Sequence, residues 1–101
     1  MVKHIVIWEQ DERFTKEEKA SNGAKIKESL EALKDIIPGV ISIKVITNLL
    51  PSGSDGDDLV LDSVFESEEA LNNYQNHPEH IKAATFVRSV VKSRKCVDYY
   101  E

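Results

Sequence analysis

The sequence predicts an α+β fold, a ferredoxin-like sandwich whose elements follow in the order βαββαβ. Four short apolar segments are typical of strands, and two helical segments lie between them. The length of 101 residues suits a single domain (1–101) with one core. We therefore expect one layer of helices over one face of a four-stranded sheet.

The first strand is predicted in "VKHIVIW", residues 2–8, which is β-branched and apolar at nearly every position. This pattern is typical of a strand that is buried on both faces. Its apolar side chains divide between the faces, with Val2, Val6 and Trp8 on one and Ile5 and Ile7 on the other.

The first helix is predicted in "FTKEEKASNGAKIKESLEALKDII", residues 14–37. Thr15 and Glu18 have the spacing of a capping box at its start. A glycine inside a helix costs about 1 kcal/mol relative to alanine, so we expect Gly23 to allow close packing against the sheet. The apolar residues at helical spacing predict one buried stripe: Ile26, Leu30, Leu33 and Ile37.

Pro38 and Gly39 end this helix, and "VISIKVIT", residues 40–47, is predicted as the second strand. The alternation places Ile41, Ile43 and Val45 on one face and Val40, Ser42, Lys44 and Ile46 on the other. The following "NLLPSGSDGDD", residues 48–58, is predicted to be an exposed loop.

Part of this loop and the segment after it can be compared with the ligand spacing of a calcium-binding EF-hand loop. Asp55, Asp57 and Glu66 match positions one, three and twelve of an EF-hand loop. Leu59 and Val60 stand where an oxygen ligand and a glycine belong, so we exclude calcium.

The second half of the chain repeats the strand and helix pattern. "LVLDSVF", residues 59–65, is the third predicted strand, and Ser67 caps a short helix that Pro78 interrupts. A helix restarts over 78–91, and "SRKCVDYY", 93–100, is the fourth strand. The short helix shares one apolar face: Ala70, Leu71 and Tyr74.

Composition limits the partners. The formal net charge is −5, which argues against nucleic acid, and we interpret the one basic cluster, "KSRK" at 92–95, as a solvated start of a strand. No apolar run reaches the roughly 18 residues of a membrane span, and the start lacks the apolar core of a signal peptide. Cys96 is the single cysteine. We expect a cytoplasmic protein that needs no membrane, nucleic acid, metal or cofactor.

The predicted sheet leaves one apolar face uncovered. The helices cover only one face, yet the first strand is apolar on both. A chain of this length has no spare layer, so a second copy is the simplest cover. We predict a homodimer that forms through this sheet face.

Five segments in this order resemble the Dabb family, the stress-responsive dimeric α/β-barrel proteins: "VKHIVIW", "IIPGV", "DLVLDSVFESEEAL", "YQNHPEH" and "VDYY". The resemblance spans almost the whole chain. It implies that two protomers join their sheets into a barrel with the helices outside. Many members are stress-response proteins without an assigned activity, and one, olivetolic acid cyclase, closes a linear polyketide by aldol condensation.

The resemblance to this cyclase implies a candidate site. The family's pocket histidines and tyrosine fall on His4, Tyr74 and His80, so these are the predicted catalytic residues. A neutral His80 would take a proton next to a carbonyl, and Tyr74 would donate to the enolate oxygen. Trp8 would form the floor with His4. A further pocket histidine of the cyclase aligns with Leu59, which with Trp8 and His77 completes the predicted substrate-binding set.

Each of these residues also has a structural reading. His77 precedes a proline and is expected to stabilise the turn between helices, while Tyr74 and His4 would be core residues. His77 and His80 lack a third ligand nearby for zinc, and Cys96 is read as a buried apolar residue.

Two functions therefore remain open. The chain is either a cyclase-like or lyase-like proton-transfer enzyme acting on a small apolar carbonyl compound, or a non-catalytic stress-response or ligand-binding dimer. A cavity of at least ~300 Å³, with the polar atoms of Tyr74 and His80 pointing into it, would favour the enzyme.

Overall fold

The computed structural model describes residues 1–52 and 58–101, and it confirms the ferredoxin-like α+β fold. Asp55 and Asp57 of the excluded calcium spacing lie outside the described residues. The elements are β1 (Val2–Gln10), α1 (Lys16–Glu31), a 3₁₀ turn (Ala32–Asp35), β2 (Val40–Ile46), β3 (Leu59–Phe65), α2 (Glu68–Asn76), α3 (Pro78–Val90) and β4 (Val91–Tyr100).

The four strands form one antiparallel sheet in the order β2-β3-β1-β4. On the β4 side of β1, His4 is paired with Asp98, and Trp8 is paired with Arg94. Directly paired residues project from the same face of a sheet. Asp98 and Arg94 therefore share the face of β1 that the helices cover.

The helix starts follow the local signals in the sequence. The Thr15 hydroxyl accepts a hydrogen bond from the Glu18 amide at 3.1 Å, and the Glu18 carboxylate accepts from the Thr15 amide at 2.8 Å. The Ser67 hydroxyl accepts from the Ala70 amide at 3.1 Å. Both predicted caps are confirmed, and each satisfies backbone donors that have no partner inside the helix.

His77 joins α2 to α3. It follows the last residue of α2, its backbone is extended, and Pro78 is the first residue of α3. The Nδ1 atom of His77 accepts a hydrogen bond from the Glu79 amide at 3.1 Å, which caps α3. The predicted turn role of His77 is therefore what the structure shows, and Tyr74 and His80 lie on two different helices.

The core lies between the helices and one face of the sheet. The predicted apolar stripe is buried there: Ile26, Leu30, Leu33 and Ile37. A Cβ atom on Gly23 would lie 3.2 Å from Leu59 Cδ2, so this glycine lets α1 approach the sheet closely, as predicted.

The predicted alternation of β2 is wrong at its first residue. Val40 is paired with Phe65 and packs against the core, whereas Ser42 is paired with Val64 on the opposite face. The register shifts between Val40 and Ser42, so Ile41 has no partner in the ladder. An irregularity of this kind changes which face the residues beyond it occupy.

The face of the sheet opposite the helices carries apolar side chains. Ile7 is 43% exposed and Val97 is 53% exposed, and both lie on this outer face. An ion pair between Lys3 and Asp62 at 2.7 Å lies among them. By register, the apolar members of the outer face are Ile5, Ile7, Ile46, Val60, Val64, Val97 and Tyr99.

None of the helices within residues 1–52 and 58–101 combines the length and the apolar character that a membrane-spanning helix requires.

Candidate active site

A cavity of about 640 Å³ lies between the sheet and the helices. Strand β1 contributes His4, Val6 and Trp8 to its lining, α2 contributes Tyr74, and α3 contributes His80. The volume is within the usual range for small-molecule sites, about 300 to 1,000 Å³. The structure thus brings four of the six predicted site residues to one cavity.

Tyr74 lies between the two histidines. Its ring centroid is 4.3 Å from that of His80 and 6.5 Å from that of His4. The side chain is fully buried, and its hydroxyl has no hydrogen-bond partner among the residues that the structure describes. Burial raises the pKa of the phenol, so the hydroxyl stays protonated and can donate a hydrogen bond.

His80 is held in one tautomer by the backbone. Its Nδ1 atom lies 3.2 Å from the carbonyl oxygen of Gln75. Because a carbonyl oxygen can only accept, Nδ1 carries the proton and Nε2 keeps its lone pair. Burial lowers the pKa of His80, the Gln75 carbonyl opposes this, and the charges of His4, Arg88 and Arg94 lower it further. The imidazole is therefore neutral at neutral pH and can accept a proton.

His4 is buried at the β1–β4 ladder and is hydrogen-bonded through Nδ1 to the Asp98 carboxylate. The carboxylate fixes the orientation of the ring. Cys96 Sγ lies 3.6 Å from the same nitrogen. The sequence predicted only a buried apolar role for Cys96, whereas the structure shows it half-buried beside a histidine. Burial and the negative charge of Asp98 nevertheless raise the pKa of the thiol, so it remains protonated.

Ligand atoms of His4, Cys96 and Asp98 all lie within 4.8 Å of one another, close enough for a metal ion. Nitrogen, sulfur and oxygen donors of this kind suit zinc. In the structure, His4 is hydrogen-bonded to the Asp98 carboxylate and lies beside the Cys96 thiol.

The other two predicted substrate-binding residues lie elsewhere. Leu59 lines a separate small cavity together with Gly23, and its Cδ2 atom lies 3.2 Å from the position of a Cβ atom on that glycine. His77 uses its ring to cap α3 and does not line the cavity.

Sequence reasoning missed several residues that line the cavity. Gln75 and Arg88 come from the helices, and Lys92 and Arg94 come from the start of β4. The segment "KSRK", interpreted above as a solvated start of a strand, thus contributes to the cavity wall. The β1–β4 register places Arg94 there, and that register depends on residues more than 80 positions apart.

The family description "stress responsive A/B barrel domain" (Dabb) matches residues 2–101. The chain belongs to the Dabb family. This confirms the resemblance found in the sequence. No curated protein matches the chain significantly.

Solved structures agree with the Dabb assignment. A dimeric protein of unknown function and ferredoxin-like fold from Bacteroides fragilis is 33% identical, with a TM-score of 0.89 over 99% of this chain and 95% of that one. A dimeric ferredoxin-like protein of unknown function from Thermobifida fusca is 18% identical, with a TM-score of 0.82 over 99% and 90%.

A hydroxynitrile lyase from Passiflora edulis has the same fold as this Dabb protein. It is 21% identical, with a TM-score of 0.78 over 97% of this chain and 90% of that one.

Proposed function

We propose that this protein catalyses proton transfer at the carbon next to the carbonyl group of a small, mostly apolar compound. The observation that carries the proposal is the buried Tyr74 hydroxyl without a described partner, beside His80 in the wall of one cavity. A buried hydroxyl without a partner is costly, and a ligand oxygen would satisfy it.

The chemistry needs no group beyond these side chains. His80 Nε2 takes the proton from the α-carbon, and the C–H electron pair forms the new C=C bond. The carbonyl π pair moves to oxygen, where the Tyr74 hydroxyl stabilises the resulting enolate through a hydrogen bond. Return of the proton from His80 completes the exchange. An enolate is also the intermediate that an aldol-type cyclase needs, and cyclase-like or lyase-like turnover would follow from it.

One observation favours a ligand site over a purely structural module, and a second favours catalysis. The cavity of about 640 Å³ exceeds the ~300 Å³ that a ligand site needs, whereas a purely structural histidine and tyrosine would lie in a closed core. The similar structure from Passiflora edulis is a hydroxynitrile lyase, which is a precedent for catalysis on this fold.

Exchange of α-protons with deuterium tests the proposal. The probe is benzoylpropionate, a stable aryl ketone, and NMR in deuterated water follows loss of the signal of its α-protons. His80→Gln and Tyr74→Phe should each slow exchange by about 100-fold or more. His77→Asn keeps a capping side chain outside the cavity and should leave exchange unchanged. A probe that binds in the cavity but does not exchange would support the binding module instead.

We further propose that the protein acts as a homodimer, with the outer face of the sheet at the interface. The similar proteins from Bacteroides fragilis and Thermobifida fusca are described as dimeric, and the outer face is apolar. Ile7→Lys should dissociate the dimer in sedimentation at micromolar concentration. Ile81→Lys is the control, because Ile81 is 49% exposed on α3 and should tolerate the charge. A wild-type monomer at that concentration would contradict this interface.

A cytoplasmic location stays a proposal based on the single cysteine.

A further inference from the structure

One wall of the cavity is cationic although the chain as a whole is acidic. Arg88 on α3 and Lys92 and Arg94 on β4 line the cavity, and no carboxylate of the described residues lines it. The formal net charge of the chain is −5, so this local excess of positive charge is opposite to the overall balance.

The three cations differ in their partners. Lys92 is neutralised by Glu12 at 2.9 Å and Glu9 at 3.6 Å. Arg88 and Arg94 form no ion pair with any carboxylate in the described part of the chain. Arg88 donates a 3.5 Å hydrogen bond to the Thr85 hydroxyl, and Arg94 interacts with the Cys96 side chain.

Both guanidinium groups also lie close to the catalytic candidate. Their positive charges contribute to the lowered pKa of His80, after the larger effect of burial. Arg94 is on the covered face of the sheet, because it is paired with Trp8, which itself lines the cavity. The two arginines thus stand at the same wall as the proposed base.

We infer that the substrate carries a carboxylate, which Arg88 and Arg94 bind while its carbonyl group lies at Tyr74 and His80. This inference rests on the proposed function and names the substrate class as an oxo acid with an apolar body. Guanidinium groups match carboxylates because they donate parallel hydrogen bonds in a planar fork. The apolar body would lie against the lining formed by Val6, Trp8 and Val87.

Paired ligands that differ only in charge test this inference. The probes are benzoylpropionate and its methyl ester, joined by a small set of aryl oxo acids and their methyl esters, with binding followed by calorimetry and NMR. The acids should bind about tenfold or more tightly than their esters, and added salt should reduce the difference.

The arginines are tested by the double variant Arg88→Gln with Arg94→Gln, which should remove the preference for the acid and leave ester binding unchanged. The control is the double variant Lys34→Gln with Lys82→Gln, which removes the same charge from exposed sites outside the cavity. The control should keep the preference.

The outcomes separate the two proposals. Esters that bind as tightly as acids, or a preference for acids that survives in the arginine variant, would overturn the carboxylate inference while exchange at His80 still stands. Acids that bind through the arginines but do not exchange would overturn the catalytic proposal alone. If no member of any pair binds in the cavity, both proposals are wrong.

Discussion

Replacing Tyr74 by Phe should stabilise the protein while it removes the proposed activity. The change deletes one oxygen atom and keeps the ring, which packs 4.8 Å from the ring of Phe65, so no new cavity forms. A buried polar group without a hydrogen-bond partner costs about 1 to 3 kcal/mol. We expect the lower end, about 1 kcal/mol, because Tyr74 lines a cavity that can admit water.

A gain of this size raises Tm by about 4 to 8 °C in a domain of this length, and thermal and urea unfolding would measure it. The matched control is Tyr100→Phe, which removes the same atom from a residue that is 69% exposed and should leave stability unchanged. A Tyr74→Phe variant that is less stable than the wild type by about 1 kcal/mol would refute the reasoning. It would show that the hydroxyl donates to the protein itself and is not offered to a ligand.

Three further outcomes follow from the described contacts. Exchange should fall as the pH drops through the lowered pKa of His80, with a midpoint below the ordinary value of 6.5. The free energy of unfolding should fall as the pH drops from about 6.5 to that lowered pKa, because the unfolded chain binds the proton first, and His80→Gln should remove this loss in a pH series. Gly39→Ala should cost about 2 kcal/mol or more in urea unfolding, since φ is +85° and a Cβ would lie 2.6 Å from that of Ala70; equal stability would contradict this contact. His77→Ala should cost about 1 kcal/mol while His77→Asn retains the cap, and equal losses in the two variants would argue against the capping role.

The fold could be predicted from the sequence largely because its signals are local. Thr15 with Glu18, Ser67, and Pro78 mark helix starts within a few residues of themselves, and the apolar stripe of α1 needs only helical periodicity. The face of Val40 was predicted wrongly, because the irregularity in the β2–β3 ladder arises from pairing across the sheet.

The candidate site was predictable only in part. His4, Tyr74 and His80 came from the family resemblance, and the structure brings them together in one cavity. Asp98 was missed, since its contact with His4 spans 94 positions and depends on the β1–β4 register. The alternation of side chains along a strand was the one signal in "SRKCVDYY" that could have grouped Arg94, Cys96 and Asp98 on a face, but it does not say which residues that face meets.

Leu59 shows the limit of transferring a position from a relative. The alignment placed it at a pocket position, yet the close approach of α1 at Gly23 covers it, and it lines a separate small cavity. Which part of a sheet a helix covers is decided by packing between distant segments.

The joint at His77 has a consequence for how this protein can change. Tyr74 is on α2 and His80 is on α3, so the distance between the phenol and the imidazole depends on the angle between these two helices, which meet at His77. A substitution at His77 that lost the cap would change the angle between α2 and α3 and with it this distance, whereas His77→Asn keeps the cap and should keep the distance. The geometry of the site can therefore diverge between relatives through a position that does not line the cavity.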